Sequence, residues 1–134
     1  MSTFHLEIVV PDRAFYSDEV NEVVVKTPGG EIGILAGHIP MVVAVSTGYV
    51  KIKKEDKWLC AFISEGFMEV TAEKTVILAD SAEWPKEIDS ERAKAAEERA
   101  RLRLGAKPDD REEATLQAAL QRALWRQKIS KEGK

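Results

Sequence analysis

Up to about Ala82, apolar and polar side chains alternate along the chain with a period of two. FHLEIVV puts Phe4, Leu6, Ile8 and Val10 on one face and His5 and Glu7 on the other, the pattern of a half-buried strand. NEVVVKT, MVVAVST, YVKIK, WLCAFIS, GFMEVT and TVILA follow, each short and rich in β-branched or aromatic residues. Pro11-Asp12, Gly29-Gly30, Thr47-Gly48 and residues 54–57 separate them, and YVKIKKEDKWLCAFI reads as a hairpin turning at Glu55-Asp56. Many short strands with closely spaced turn signals predict an antiparallel β-sandwich or barrel.

After AEWPKE the period changes. Pro85 interrupts both strand and helix, which makes residues 83–87 a linker between a β unit over 1–84 and a helical unit over 85–134. IDSERAKAAEERARLRLG then offers Asp89 as an N-cap, Glu91 in the first turn and Gly105 as a C-terminal glycine. Pro108 bars continuation, and a second helix begins at Asp109 with Glu112 three residues on, as in a capping box. The expectation is a helical hairpin. Its seam is thin: Ala93, Ala96, Ala100 and Leu104 against Leu116, Ala119 or Leu120, and Ala123. Each buried methylene contributes only about 0.8 kcal/mol, so the hairpin should need a ligand, the sandwich or another protein to stay folded.

Charge sharpens this division. The chain carries a formal −3 over 134 residues, too mild by itself to suggest a nucleic-acid partner. Through Trp84 there are thirteen acids against seven bases; from Pro85 onward there are thirteen bases against ten acids. Acids interspersed among the basic helical residues, with no aromatic stacking surface, argue against nucleic acid. The start of the chain lacks a signal-peptide pattern. Residues 32–50 are uncharged, but their glycines, Pro40 and His38 suit turns between strands, so a soluble protein is expected without membrane insertion. Cys60, the single cysteine, cannot form an internal disulfide; it reads as a small buried hydrophobe in a reducing compartment.

Two stretches carry candidate chemistry. PGGEIGILAGHIP, residues 28–40, is glycine-rich, yet no Lys-Ser/Thr follows the last glycine and no helix follows the stretch. It is therefore no phosphate loop; it reads as tight turns and a bulge joining strands, with Glu31 and His38 as polar docking contacts. The helical arginines are more pointed. Arg101 has Glu97 one turn behind it, but Arg99, Arg122 and Arg126 have no acid three or four residues away. Arg92, Arg99 and Arg103 share one helical face, and Arg122 and Arg126 form a second like-charged pair. Converging guanidiniums would repel unless an anion sat between them. A solvated basic tail and a polyanion site both remain open, and a partner's carboxylates would serve as well as phosphates.

The motifs VVPDRAFYSDEV, GGEIGILAGHIPMV, SEGFMEV and AEWPKEIDSERAKAAEERA, in that order, resemble the epsilon subunits of bacterial F-type ATP synthases over nearly the whole chain. The pairing of GILAGHIP with IDSERA is specific to that family's pattern. The resemblance implies a non-catalytic subunit of the central stalk, held against the gamma subunit and the membrane c-ring. It places the protein peripherally on the cytoplasmic face of the bacterial cell membrane. It also implies a helical pair that restrains ATP hydrolysis, meeting the alpha/beta catalytic head when extended. In relatives whose hairpin binds ATP as a regulatory ligand, the matching positions here are Glu83, Ile88, Asp89, Arg92, Ala93, Arg99, Arg122 and Arg126. Arg103 lies outside that inherited set. Magnesium is left open, since Glu83 and Asp89 could reach a metal held on the phosphates. Two alternatives stand: a structural brake that ignores ATP, and an unrelated β-sandwich interaction module.

Overall fold

The computed structural model describes residues 2–132. Ten strands come first: β1 (Phe4–Val10), β2 (Arg13–Val20), β3 (Glu22–Thr27), β4 (Gly30–Leu35), β5 (Met41–Val45), β6 (Gly48–Lys54), β7 (Lys57–Ile63), β8 (Gly66–Val70), β9 (Lys74–Ala79) and β10 (Ala82–Glu83). A 3-10 turn over Pro85–Glu87 leads into α1 (Ser90–Gly105) and α2 (Asp110–Glu132). The strands form two five-stranded sheets, ordered β2-β1-β9-β8-β5 and β10-β7-β6-β3-β4. All pairings are antiparallel except β1 with β9, which is parallel. A sandwich followed by a helical hairpin is thus the observed fold.

The alternating residues meet between the sheets: Leu6, Ile8, Val25, Val50, Ile63 and Ile77 are wholly buried. The hairpin at Glu55-Asp56 forms as expected, both residues taking positive φ, 51° and 65°, the backbone of a two-residue turn that matches strand twist. Among the described glycines, Gly66 permits the closest approach. A Cβ there would lie 1.8 Å from the Leu78 carbonyl oxygen.

Two sequence expectations are corrected and two gain detail. β4 is a regular ladder partner of β3 with Glu31 opposite Lys26, so half of the glycine stretch is strand; the register irregularity lies between β1 and β2, at Ile8/Val9. The linker over residues 83–87 is packed on the sandwich: Glu83 pairs with Phe62 in β10, and Trp84 stacks on Phe15 at 4.6 Å. Cys60 is exposed, because on β7 the inward positions go to Ala61 and Ile63. Partial cover from α2 still holds its thiol pKa above the ordinary value, mainly through burial. Finally, Gly105 is the last residue of α1, and Lys107 takes the left-handed conformation at φ 55°, with Pro108 fixing the exit.

Asp89 caps α1, accepting from the Arg92 amide at 3.1 Å. Asp109 caps α2, accepting from the Glu112 amide at 2.8 Å. The alanine seam closes as the sequence suggests, with Ala93, Ala100, Leu120 and Ala123 buried. Phe62 on the outer face of the second sheet, Ile88 and Ile129 then form a separate small core with Tyr49 and Trp125 against it. That core seats α2 on the sandwich. No helix among the described residues is long and apolar enough to cross a membrane.

Candidate functional site

A cleft of about 480 Å³ opens where α1, α2 and the linker meet, lined by Glu83, Glu87, Asp89, Arg92, Arg99, Arg122 and Arg126. Its floor is the seam itself, Ala93, Ala96, Ala119 and Ala123, whose small side chains leave the space between the helices unfilled. The volume is within the range of small-molecule sites. Every inherited position except Ile88 lines it; Ile88 lies in the small core under α2. Glu87 also lines the cleft and was not singled out by the sequence.

The cleft's acids are engaged. Glu83 accepts from Arg126, at 3.2 Å from Nε and 3.1 Å from Nη2. Glu87 accepts from Arg13 and from the Trp84 amide, both at 2.8 Å. Those bonds, the Arg13 one foremost, hold its pKa below the usual carboxylate range. Asp89 is occupied by the α1 cap. Arg92, Arg99 and Arg122, by contrast, have no carboxylate within ion-pair distance among the described residues. Three forked donor groups therefore face one cavity with their hydrogen-bonding capacity unspent, an arrangement matched to a multiply charged oxyanion.

Arg126 departs from the sequence expectation of an unpaired residue. It is a latch: besides Glu83 it reaches Ser81 Oγ at 3.3 Å and stacks over Phe62 at 4.5 Å. Arg103 leaves the cleft altogether and pairs with Glu112 at the hairpin tip, at 3.0 Å. Midway along the seam, Gln127 donates to Glu97 at 2.9 Å, while Arg101 bonds the same carboxylate at 2.8 Å as its spacing predicts. Glu83 and Asp89 are committed elsewhere, and no group of three or more His, Cys, Asp or Glu among the described residues could hold a metal. The described residues by themselves therefore offer no metal-ion site.

Neither docking residue lies near the cleft. Glu31 is exposed on β4 and accepts a hydrogen bond from the Tyr49 hydroxyl; that bond, with burial, pushes the Tyr49 pKa up to about 12. The His38 Nδ1 is 2.8 Å from the Ile39 carbonyl oxygen. The outer face of the first sheet carries exposed Val42 (68%), Phe67 (60%) and Leu78 (54%), a patch the sequence reading did not single out.

Two family models cover the chain: the beta-sandwich domain of the ATP synthase delta/epsilon chain over residues 3–85, and its long alpha-helix domain over 86–131. The ATP synthase epsilon chain of Caldanaerobacter subterraneus subsp. tengcongensis is 49% identical over 96% of this chain and 94% of its own. That of Caldicellulosiruptor bescii is 46% identical over 100% and 98%. Among solved structures, a chain of the Euglena gracilis mitochondrial ATP synthase assembly containing OSCP, F1 and the c-ring superposes with TM-score 0.79. It is 27% identical and is matched over 92% of this chain and 79% of its own length.

Proposed function

This chain belongs to the ATP synthase delta/epsilon chain family, and on that premise we propose that its helical hairpin binds ATP as a regulatory ligand and restrains ATP hydrolysis when released. It is a non-catalytic subunit of the central stalk. The observation that carries the proposal is the convergence of Arg92, Arg99 and Arg122, unpaired among the described residues, on one alanine-floored cleft.

With the triphosphate between the helices, the guanidinium charge is neutralised and the hairpin stays folded on the sandwich. Without it, the thin seam and like-charge repulsion favour release, and the same arginines meet acidic segments of the alpha/beta head. Reversing a population from 1:99 to 99:1 takes about 5.5 kcal/mol of differential binding. Charge-assisted hydrogen bonds at roughly 1.5–3 kcal/mol each supply that from a few contacts. Magnesium has no role in this account beyond accompanying the nucleotide.

Calorimetry on the full chain tests the reading. ATP should release binding heat, and Arg99→Ala with Arg122→Ala should abolish it; no heat from the unaltered chain, or equal heat from the double variant, rejects the site. A second reading, a brake that ignores ATP, draws support from the Arg103–Glu112 and Gln127–Glu97 bonds, which clasp the helices without any ligand. A ligand selective for the folded hairpin must raise its stability; an unchanged melting temperature at saturating ATP would favour the brake. The exposed Val42, Phe67 and Leu78 suit the gamma subunit, and Glu31 and His38 suit the c-ring, with the chain peripheral at the cytoplasmic membrane face.

A further inference from the structure

Helix α2 reaches beyond the cleft to the end of the second sheet's outer face. Trp125 packs edge-on against Tyr49, with ring centroids 5.7 Å apart, and the Lys26 ammonium sits over the same indole at 4.7 Å. Gly48 makes the fit possible: a Cβ there would lie 2.9 Å from Lys26 Cδ and 3.6 Å from Trp125 Cε2. Lys26 stands directly opposite Glu31 on the neighbouring strand, where opposed side chains have Cβ atoms about 4.5–5.5 Å apart. The natural partner for Lys26 is therefore Glu31. Yet the two form no ion pair in the docked hairpin; Lys26 is drawn to the indole, and Glu31 accepts from Tyr49.

We propose that Trp125 couples hairpin docking to Glu31 by withholding Lys26 from it. With α2 docked, Glu31 is a carboxylate on the Tyr49 hydroxyl, its charge unmatched and open to a partner. With α2 released, the indole leaves, Lys26 swings to the opposed carboxylate, and the exposed charge is cancelled. The surface around Glu31 thus reads the position of a helix that never touches Glu31. This rests on the released state of the proposed function, but not on ATP. By reciprocity, whatever stabilises the Lys26–Glu31 pair must disfavour docking by the same factor.

The test is the docked-to-released ratio in the full chain, measured by pulsed electron-spin distances between labels at Lys57 and Gln117. A Cys60→Ser background avoids unwanted labelling, and sub-denaturing urea brings both populations into view. Glu31→Gln keeps an acceptor for Tyr49 but removes the released-state ion pair, so the ratio should rise about 2- to 5-fold, the size of an exposed pair. In a Lys26→Gln background the same change should do nothing. Lys51, whose ammonium lies over Tyr49 at 4.6 Å, is the control, since Lys51→Gln should leave the effect intact. An unchanged ratio in Glu31→Gln, or an equal rise with Lys26 already replaced, overturns the proposal. The ratio is read without nucleotide, so failure of ATP binding is seen separately, in calorimetry on the same protein.

Discussion

Replacing Arg126 by alanine removes a side chain that ties α2, the β10 strand and the outer face of the sandwich together. Its guanidinium makes two hydrogen bonds to the Glu83 carboxylate, a third to Ser81 and a stack on Phe62. Both partners of the ion pair are 27% exposed. The pair therefore lies between an open surface bridge, with a median of 0–1 kcal/mol, and a buried pair, whose truncation costs about 3–5 kcal/mol. A loss of about 2 kcal/mol of docking follows, or about a 30-fold fall in the docked-to-released ratio. Spin-label distances between hairpin and sandwich measure that ratio directly. Arg126→Lys should recover part of it, keeping charge but losing the fork. A double-mutant cycle with Glu83→Gln should show coupling above about 1 kcal/mol. If Arg126→Ala shifts the ratio less than twofold, or the two changes are additive, Arg126 is not a latch and the docking argument fails.

Four further outcomes follow from the same geometry. Ala96→Leu should fill the cleft floor and weaken ATP binding at least tenfold without altering any charge, by calorimetry; unaltered affinity would mean the ligand never enters the cleft. Ile129→Ala should release the hairpin, costing about 2–4 kcal/mol of docking from the small core, read by spin-label distances and opposed by unaltered docking. Gly66→Ala should cost about 3 kcal/mol or more in urea unfolding, since backbone rather than a flexible side chain blocks the new methyl. Acid should loosen the hairpin: Glu97 is held below the usual carboxylate range chiefly by Gln127, then Arg101, and Glu87 by Arg13. Both folded pKa values are depressed, so this stability is present above the ordinary carboxylate pKa and lost as pH falls through the folded values. Glu97→Gln should flatten that acid limb in circular dichroism.

The strands that sequence could identify are those whose two faces differ. β1, β3 and β5–β9 announce themselves by alternating or continuous apolar residues. β2 (RAFYSDEV) and β4 (GEIGIL) carry no such signal, because one is largely polar and the other contains two glycines. Their strand character comes from ladder partners, β1 and β3, rather than from their own composition. The parallel pairing of β1 with β9 joins segments about seventy residues apart, and no local period records it. The same distinction runs through the site. Helical spacing correctly found arginines without acids on their own helix, but it looks only along one element. Glu83 reaches Arg126 from 43 residues upstream, and Glu112 reaches Arg103 across the tip. Of the arginines lining the cleft, those with no ion pair among the described residues are Arg92, Arg99 and Arg122, a subset that helical spacing could not isolate. Cys60 differs from its sequence expectation for a related reason: an apolar run shows that both faces of β7 are covered somewhere, and the cover buries Phe62 but shields Cys60 only in part.

The position of the cleft follows from the angular order of side chains around α2. At 3.6 residues per turn, Trp125 and Ile129 lie to one side of Arg122 and Arg126, while Ala119 and Ala123 lie to the other. The first pair faces the sandwich and the second faces α1. The two arginines therefore occupy the line where both seams meet, with Arg92 and Arg99 supplied across it by α1 and Glu83 from the sandwich edge. An anion held there is bonded by both helices and lies against the latch that fixes α2 to β10. Separating the helices removes Arg92 and Arg99 from it, and lifting α2 off the sandwich breaks Arg126 from Glu83. A ligand that needs this complete set of contacts must therefore resist both motions, although it touches neither Ile129 nor Trp125. On the proposed function, a nucleotide held at this line acts on both contacts of α2 at once, the alanine seam with α1 and the small core on the sandwich.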